Sequence, residues 1–354
     1  MNTENVLVLG SGGRESAIVW SLKDIDAKLY IAPGNAGTRQ YATNVNIKPN
    51  DFDAIAQFVS ENNIGMIVVG PEDPLVNGIV DYFAEKPEFK KLMVIGPDKY
   101  AAQLEGSKEF AKQFMQRHNI PTAKYLSVTK DNIAEGEKFL DSVNPPYVLK
   151  ADGLAAGKGV LILEDINEAK SELRSMLGGK FGNAGSKVVI EQYLKGIECS
   201  VFAITDGKSF VLLPEAKDYK RIGDGDTGPN TGGMGSVSPV PFFDEDFREK
   251  VVERIVKPTI NGINADKMNY HGFVFFGLMN VDGDPYVIDY NVRMGDPETE
   301  SVLPRLKTSL YDLLSAAAKG ELEGKKAEFH DYAAVTLVMV SGGYPGSYKK
   351  DLPI

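Results

Sequence analysis

A chain of 354 residues is too long for one simple core, and 43% hydrophobic with 25% charged residues is ordinary globular composition, so two or three folded domains are expected. A net charge of −10 argues against a general nucleic-acid or membrane-surface binder, while leaving room for a local basic site. One cysteine, Cys199, excludes a disulfide framework and a CxxC zinc site, and three scattered histidines (His118, His271, His330) argue against a zinc centre or a Ser-His-Asp triad. The chain enters a strand with no basic leader, and no apolar run reaches membrane-spanning length, so the cytoplasm is the expected compartment.

The first hundred residues alternate between short apolar runs and amphipathic segments. Val6-Leu-Val-Leu-Gly10, Lys28-Leu-Tyr-Ile-Ala32, Ile64-Gly-Met-Ile-Val-Val69 and Leu92-Met-Val-Ile-Gly96 predict parallel strands of a doubly wound sheet, with helices such as residues 51–62 between them. Ligands bind such sheets at the carboxyl ends of the strands, where this chain has Gly- or Pro-bearing turns. The first of these, Gly10-Ser11-Gly12-Gly13-Arg14-Glu15, lacks the third glycine of a dinucleotide fingerprint, and the second strand ends in Ala32-Pro33-Gly34 where that fingerprint wants an acid. A nicotinamide dehydrogenase is therefore disfavoured, and a single phosphate held by the turn's N–H groups with Arg14 beside it fits better. A merely tight turn is the plain alternative.

Ser107 reads as the N-cap of a helix running to about residue 118, and a domain boundary is expected near residues 99–103. From Tyr147 the pattern becomes strands joined by hairpin-like turns, α+β rather than βαβ. Lys150-Ala-Asp-Gly-Leu-Ala-Ala-Gly157-Lys158-Gly159 only superficially resembles a P-loop: its glycines are one residue too close, and Gly159 replaces the Ser or Thr. As a hairpin tip it could instead close over a triphosphate, with Lys108, Lys150 and Lys158 converging on the phosphates. Glu191-Gln-Tyr193-Leu194-Lys-Gly-Ile-Glu198 leaves a strand, where backbone groups can meet an adenine edge and Glu198 can accept from ribose hydroxyls. An ordinary exposed acid is the alternative at Glu198. The polar loop of residues 217–238 carries Asp218, Lys220 and Arg221 and is dense in glycine; disorder, or a lining laid against substrate, would give the same composition.

A long helix over residues 244–264 leads to a hairpin whose second strand is Tyr286-Val-Ile-Asp289-Tyr-Asn291-Val-Arg293. Period-two alternation puts Asp289, Asn291 and Arg293 on one face: two hard oxygen ligands suited to Mg²⁺, then a bidentate phosphate clamp. A solvated edge strand with an Asp289–Arg293 ion pair is the bland alternative. Asp296-Pro297-Glu298 predicts a helix start with Asp296 as N-cap, a substrate role for Asp296 ranking second. A helix near residues 309–319 precedes one more strand, residues 334–341, which reads as the beginning of a further domain.

With these stretches in order, the chain resembles the phosphoribosylamine–glycine ligase (glycinamide ribonucleotide synthetase) family of ATP-grasp enzymes. Val8-Leu-Gly-Ser-Gly-Gly-Arg-Glu15, Ala32-Pro-Gly-Asn-Ala-Gly37, Gln103-Leu-Glu-Gly-Ser-Lys108, Lys150 to Gly159, Asp226-Thr-Gly-Pro-Asn-Thr-Gly-Gly-Met-Gly235 and Gly295-Asp-Pro-Glu298 carry the likeness. The resemblance implies an N-terminal α/β domain for phosphoribosylamine (residues 1–102), an ATP-grasp domain (103–326) with a flexible lid at about 122–195, and the beginning of an incomplete C-terminal domain (327–354). It also implies a reaction: ATP phosphorylates glycine, and the amine of 5-phosphoribosylamine attacks the acyl phosphate. Carried over by motif, Lys108, Lys150 and Lys158 hold ATP phosphates, Glu191, Tyr193 and Leu194 meet adenine, and Glu198 meets ribose. Asp289 and Asn291 bind Mg²⁺, Mn²⁺ being the alternative, and Arg293 and Lys150 serve catalysis. Gly10 to Arg14, Gly34, Asn35 and Gly37 take phosphoribosylamine, with Asp218, Lys220, Arg221 and Asp296 lining the substrate side. The implied partners are ATP, glycine and phosphoribosylamine, with neither nucleic acid nor membrane, in a monomer or weak dimer. Three departures from the family pattern stand out: Ser16 replaces a usual His, Asp289 replaces a usual Glu, and family members continue past residue 354.

Overall fold

The computed structural model describes residues 4–153, 159–225, 227–349 and 352. Its N-terminal part is laid down by β1 (Asn5–Gly10), β2 (Leu29–Pro33), β3 (Thr43–Asn44), β4 (Ile64–Val69) and β5 (Met93–Pro97), paired in parallel in the order β5-β4-β1-β2-β3. Continuous apolar runs form these strands because both faces are covered. Leu7, Leu9, Ile67 and Val69 enter one core cluster, while Val6, Val8, Met66 and Val68 enter the other.

A separate four-stranded sheet follows, built from β6 (Tyr125–Val128), β7 (Tyr147–Ala151), β8 (Val160–Leu163) and β9 (Val188–Gln192) in the order β6-β9-β7-β8. The helices Ile133–Ser142 and Ile166–Ser175 cover one of its faces and close a core of their own, from Val128 and Leu149 to Leu173 and Ile190. The large sheet then resumes with β10 (Ile197–Thr205) and β11 (Phe210–Leu212).

The polar stretch after it is not structureless. β12 (Lys217–Asp218), β13 (Arg221–Gly223), β14 (Thr227–Asn230) and β15 (Gly235–Ser238) lie within it; β13 and β14 pair with each other, and β12 pairs β15. Backbone pairing replaces the hydrophobic core this segment lacks. The chain returns through β16 (Tyr270–Val281) and β17 (Asp284–Asn291), and a last strand, β18 (Ala334–Leu337), completes the order β12-β15-β18. That strand ends earlier than its sequence suggests, and Val335 and Leu337 leave 74% and 80% of their surface exposed. The predicted helix start at Asp296 is also displaced: the helix is Thr299–Val302, with Glu298 before it and no side-chain cap. Asp296 instead accepts the backbone N–H of Arg14 at 3.3 Å, a tertiary contact that outcompetes the local cap. No helix among the described residues is long and apolar enough to cross a membrane.

The two halves of the large sheet join at β16, which pairs β10 and β17 along its length and crosses to β5 through Tyr270 opposite Pro97 and His271 opposite Gly96. The backbones come so close there that a Cβ on Gly272 would sit 3.0 Å from the Gly96 nitrogen and 3.2 Å from its Cα. Gly272→Val is expected to lower unfolding stability by about 1–3 kcal/mol, the usual range for overpacking, read as a reduced urea midpoint.

Candidate active site

Along β17 burial alternates: Tyr290 and Val292 are buried, while Asp289 and Asn291 are half-buried and share the opposite face. The register with β16 shifts just before Asp289, since Asp289 faces Gly277 and Val287 faces Leu278, which leaves Ile288 as an extra, bulged residue. The Ile288 carbonyl accepts a hydrogen bond from Lys150 Nζ at 3.2 Å, bringing the end of β7 onto the strand that bears Asp289. Burial alone would raise the Asp289 pKa, but Lys108, Lys220, Lys150 and Arg293 around it hold the carboxyl below its usual range.

Arg293 lies two residues past the end of β17 and is fixed from two sides. Its guanidinium meets Glu105 Oε1 at 2.6 Å and Glu72 Oε2 at 3.4 Å, and Glu105 Oε2 accepts the Val292 N–H at 2.8 Å. Its Nη1 also donates to the Met294 carbonyl at 3.2 Å, the same oxygen that Arg14 Nη1 reaches at 3.2 Å. Two guanidinium groups, one from each part of the chain, thus meet at one carbonyl. Lys220 Nζ lies 2.9 Å from Glu198 and 3.6 Å from Asp218, so two further predicted residues join the same rim.

Comparison with known proteins decides what this arrangement belongs to. Residues 4–105 match the family model described as "Phosphoribosylglycinamide synthetase, N domain", and residues 106–299 match "Phosphoribosylglycinamide synthetase, ATP-grasp (A) domain". The chain belongs to this family. It is 43% identical to a phosphoribosylamine–glycine ligase of Pasteurella multocida over 98% of this chain and 81% of that protein, and 45% identical to one from Rhizobium meliloti over 99% and 82%. A solved phosphoribosylamine–glycine ligase of Thermotoga maritima superposes with a TM-score of 0.83 at 37% identity, covering 98% of this chain and 82% of that one. A biotin carboxylase from Campylobacter jejuni, solved as a beta-gamma-ATP complex, shares the fold alone, with a TM-score of 0.73 at 18% identity over 94% and 75% of the two chains.

Within this synthetase fold several predicted residues have duties the sequence did not suggest. Glu191 sits inside the ladder, opposite both Tyr125 and Val148, so its backbone faces neighbouring strands rather than a ligand. Its carboxylate is buried between Lys112 and Lys150 at 2.9 Å each. Tyr193 and Leu194 follow the strand's last residue and keep their backbones out of the sheet. Arg14 is buried with its Nε on Glu15 at 2.6 Å, and the N–H groups of Gly12 and Arg14 go to Glu15 and Asp296. The turn of Gly10 to Gly13 is therefore less open to a phosphate than its composition implies. Gly12 and Gly13 lack side chains because Asp296 and Glu300 occupy the space a Cβ would need. Asn35 donates to the Ser11 carbonyl and the Ser16 hydroxyl at 3.0 Å each and accepts from Gly37 and Thr38, pinning the Gly34–Gly37 turn to the first one. Arg221 is turned to its own hairpin, donating to the Gly228 carbonyl at 2.8 Å, not into the cleft. Lys158 lies outside the described residues.

Val160 and Ile162 were not predicted at the site. Register places Val148, Lys150, Val160, Ile162, Val189 and Glu191 on one face of the small sheet, and Val160 and Ile162 are exposed there as an apolar shelf beside Lys150. Cys199, buried in β10, has its thiol pushed up to about 12 by burial, which fits no nucleophilic duty.

Beyond Asp296, burial and Asp218 push Glu298 up to about 7, while burial and Asp296 push Glu300 up to about 8. Both folded values exceed the unfolded one, so between roughly pH 4.5 and 8 the folded chain holds protons that the unfolded chain releases, and stability falls as pH rises. Glu300→Gln, which fixes the neutral form, should raise the melting temperature at pH 8.5 by on the order of 2–4 °C relative to the parent. The gap should close towards pH 5, as scanning calorimetry at the two pH values would show.

Proposed function

We propose that this chain performs the reaction for which its relatives are named, the ATP-dependent joining of glycine to 5-phosphoribosylamine. Glycinamide ribonucleotide, ADP and phosphate are the products, through a glycyl phosphate. The observation that carries this reading is the gathering of Lys108, Lys150, Lys220 and Arg293, drawn from separate segments, around one ionised carboxylate, Asp289. Such a site suits a triphosphate and a carboxylate substrate, since phosphoryl transfer needs positioning and charge neutralisation more than a proton acceptor. Lys108 and Lys150 hold phosphates, the Val160–Ile162 shelf and the backbones of Tyr193 and Leu194 take the base, and Glu198 takes the ribose. Arg293, held by Glu105 and Glu72, neutralises the phosphoryl group in transfer. Phosphoribosylamine lies on the side of the Gly10–Gly13 turn, Asp296 and Asp218.

A divalent ion fits this donor set only together with the nucleotide. Asp289 and Asn291 offer two oxygen ligands, and among the described residues no three His, Cys, Asp or Glu side chains gather into a stand-alone metal cluster. Phosphate oxygens complete the shell, and the ion when bound neutralises charge on the phosphates. We assign Mg²⁺, with Mn²⁺ as the alternative for the same oxygen ligands. The domain division at residues 102–103, with a lid at about 122–195, belongs to the same reading and is supported by the separate core of the small sheet. The substrates are small molecules, and the overall negative charge gives nucleic acid no general foothold.

Mixing the protein with ATP, Mg²⁺, glycine and phosphoribosylamine should give glycine-dependent ADP; ADP formation indifferent to glycine would overturn the assignment. Asp289→Ala should cut that turnover by on the order of 100-fold or more while leaving the circular dichroism spectrum intact.

A further inference from the structure

Lys112 plays no part in the reading above, yet it is one of the most completely buried side chains, at 2% exposure. It lies one turn after Lys108 in the helix Lys108–Arg117, within the stripe that also buries Ala111 and Met115. Its ammonium donates to Thr122 Oγ1 at 2.7 Å and pairs with Glu191 Oε2 at 2.9 Å. Glu191 Oε1 is 2.9 Å from Lys150 Nζ, which in turn reaches the Ile288 carbonyl at 3.2 Å. The Thr122 hydroxyl donates to the neighbouring Val287 carbonyl at 2.7 Å. The contacts close a ring: β17, Thr122, Lys112, Glu191, Lys150 and back to β17 at its bulge.

We propose that Lys112 is a positioning residue for the nucleotide phosphates: by taking half of the buried Glu191 carboxylate and anchoring it to β17, it fixes Lys150 and leaves that lysine with uncompensated charge for the triphosphate. The inference rests on the assignment of Lys150 to the phosphates. Charge bookkeeping supports it. Within the ring two ammonium groups share one carboxylate, so the ring by itself carries a net positive charge, and the nearby Asp289 is shared between Lys150 and three further cations, Lys108, Lys220 and Arg293. Lys150 Nζ donates to the Ile288 carbonyl and lies 2.9 Å from Glu191 Oε1 without a well-aligned hydrogen bond to it, so the ammonium keeps donors for a phosphate. Remove Lys112, and Glu191 is balanced by Lys150 alone; the net charge vanishes and Lys150 becomes an ordinary closed pair. A lysine at this depth costs desolvation, which pulls its pKa down to about 8 against the opposing pull of Glu191, so at neutral pH the ammonium form prevails. A methionine would fill the same volume without that cost, so packing alone does not call for a charged residue here.

The test compares binding of MgATP and of adenosine by titration calorimetry in the parent, Lys112→Met, Lys112→Arg and Lys150→Met. Lys112→Met is expected to weaken MgATP by on the order of tenfold, a typical loss for a supporting partner, with adenosine unchanged and partial recovery in Lys112→Arg. In turnover, the KM for ATP should rise and the KM for glycine stay put. Unchanged MgATP affinity in a folded Lys112→Met, or equal losses for MgATP and adenosine, would overturn the proposal. If Lys150→Met weakens MgATP while Lys112→Met does not, only the proposal falls. If Lys150→Met also leaves MgATP unchanged, the phosphate assignment falls with it. Should Lys112→Met fail to fold, Thr122→Val removes the oxygen that anchors Lys112; a several-fold, phosphate-specific loss supports the inference, and no loss overturns it.

Discussion

Two residue pairings, Tyr270 with Pro97 and His271 with Gly96, carry one hydrogen-bonded sheet across from the N-terminal strands to the strands that bear the site. Everything about the cleft depends on that join. It brings the N-terminal turns, with Arg14, to the same Met294 carbonyl as Arg293, and it sets Glu72 and Glu105 where they can grip Arg293. The small sheet, with its own core, has no strand in this frame. It touches the frame through polar contacts, Lys150 on Ile288 among them. A frame facing a separately packed sheet is a sensible way to hold a large charged nucleotide, because the frame keeps Asp289 and Arg293 fixed while the small sheet brings Lys150 to them.

Inside the cleft, charge is balanced group by group rather than overall. Lys220 has Glu198 and Arg293 has Glu105, Lys112 and Lys150 share Glu191, and Asp289 is kept ionised by Lys108, Lys220, Lys150 and Arg293. Pre-paired cations cost less to hold in the cleft than unpaired ones and can shift part of their attraction to an incoming phosphate without any large motion. The acids on the other side, Glu298 and Glu300, are held near neutrality by burial and by their acidic neighbours, so the two sides of the site differ sharply in polarity.

Much of this was legible in the sequence. Period-two alternation alone put Asp289 and Asn291 on one face, and short apolar runs ending in glycine marked the parallel strands. What escaped were features that depend on distant partners. The bulge at Ile288 leaves no mark in composition, because any β-branched residue reads as an ordinary strand position. Asp296 before Pro297 has every local sign of a helix cap, and the Arg14 backbone, 282 residues away in sequence, takes its oxygen instead. Glu191 was carried over by motif as an adenine contact, and its pairing with Tyr125 on one side and Val148 on the other depends on strands distant in sequence. Lys112 was given no role in the sequence reading. Its position between Ala111 and Met115 on the buried stripe was the available signal.

Cys199 adds a practical consequence. As the sole thiol of the chain, closed off in β10 with its ionisation pushed up to about 12, it will hardly compete for maleimide or disulfide reagents in the folded protein. A single cysteine placed at exposed Ile162 would therefore take a fluorophore or spin label alone, turning the small sheet into a reporter of its own surroundings as ligands enter the cleft.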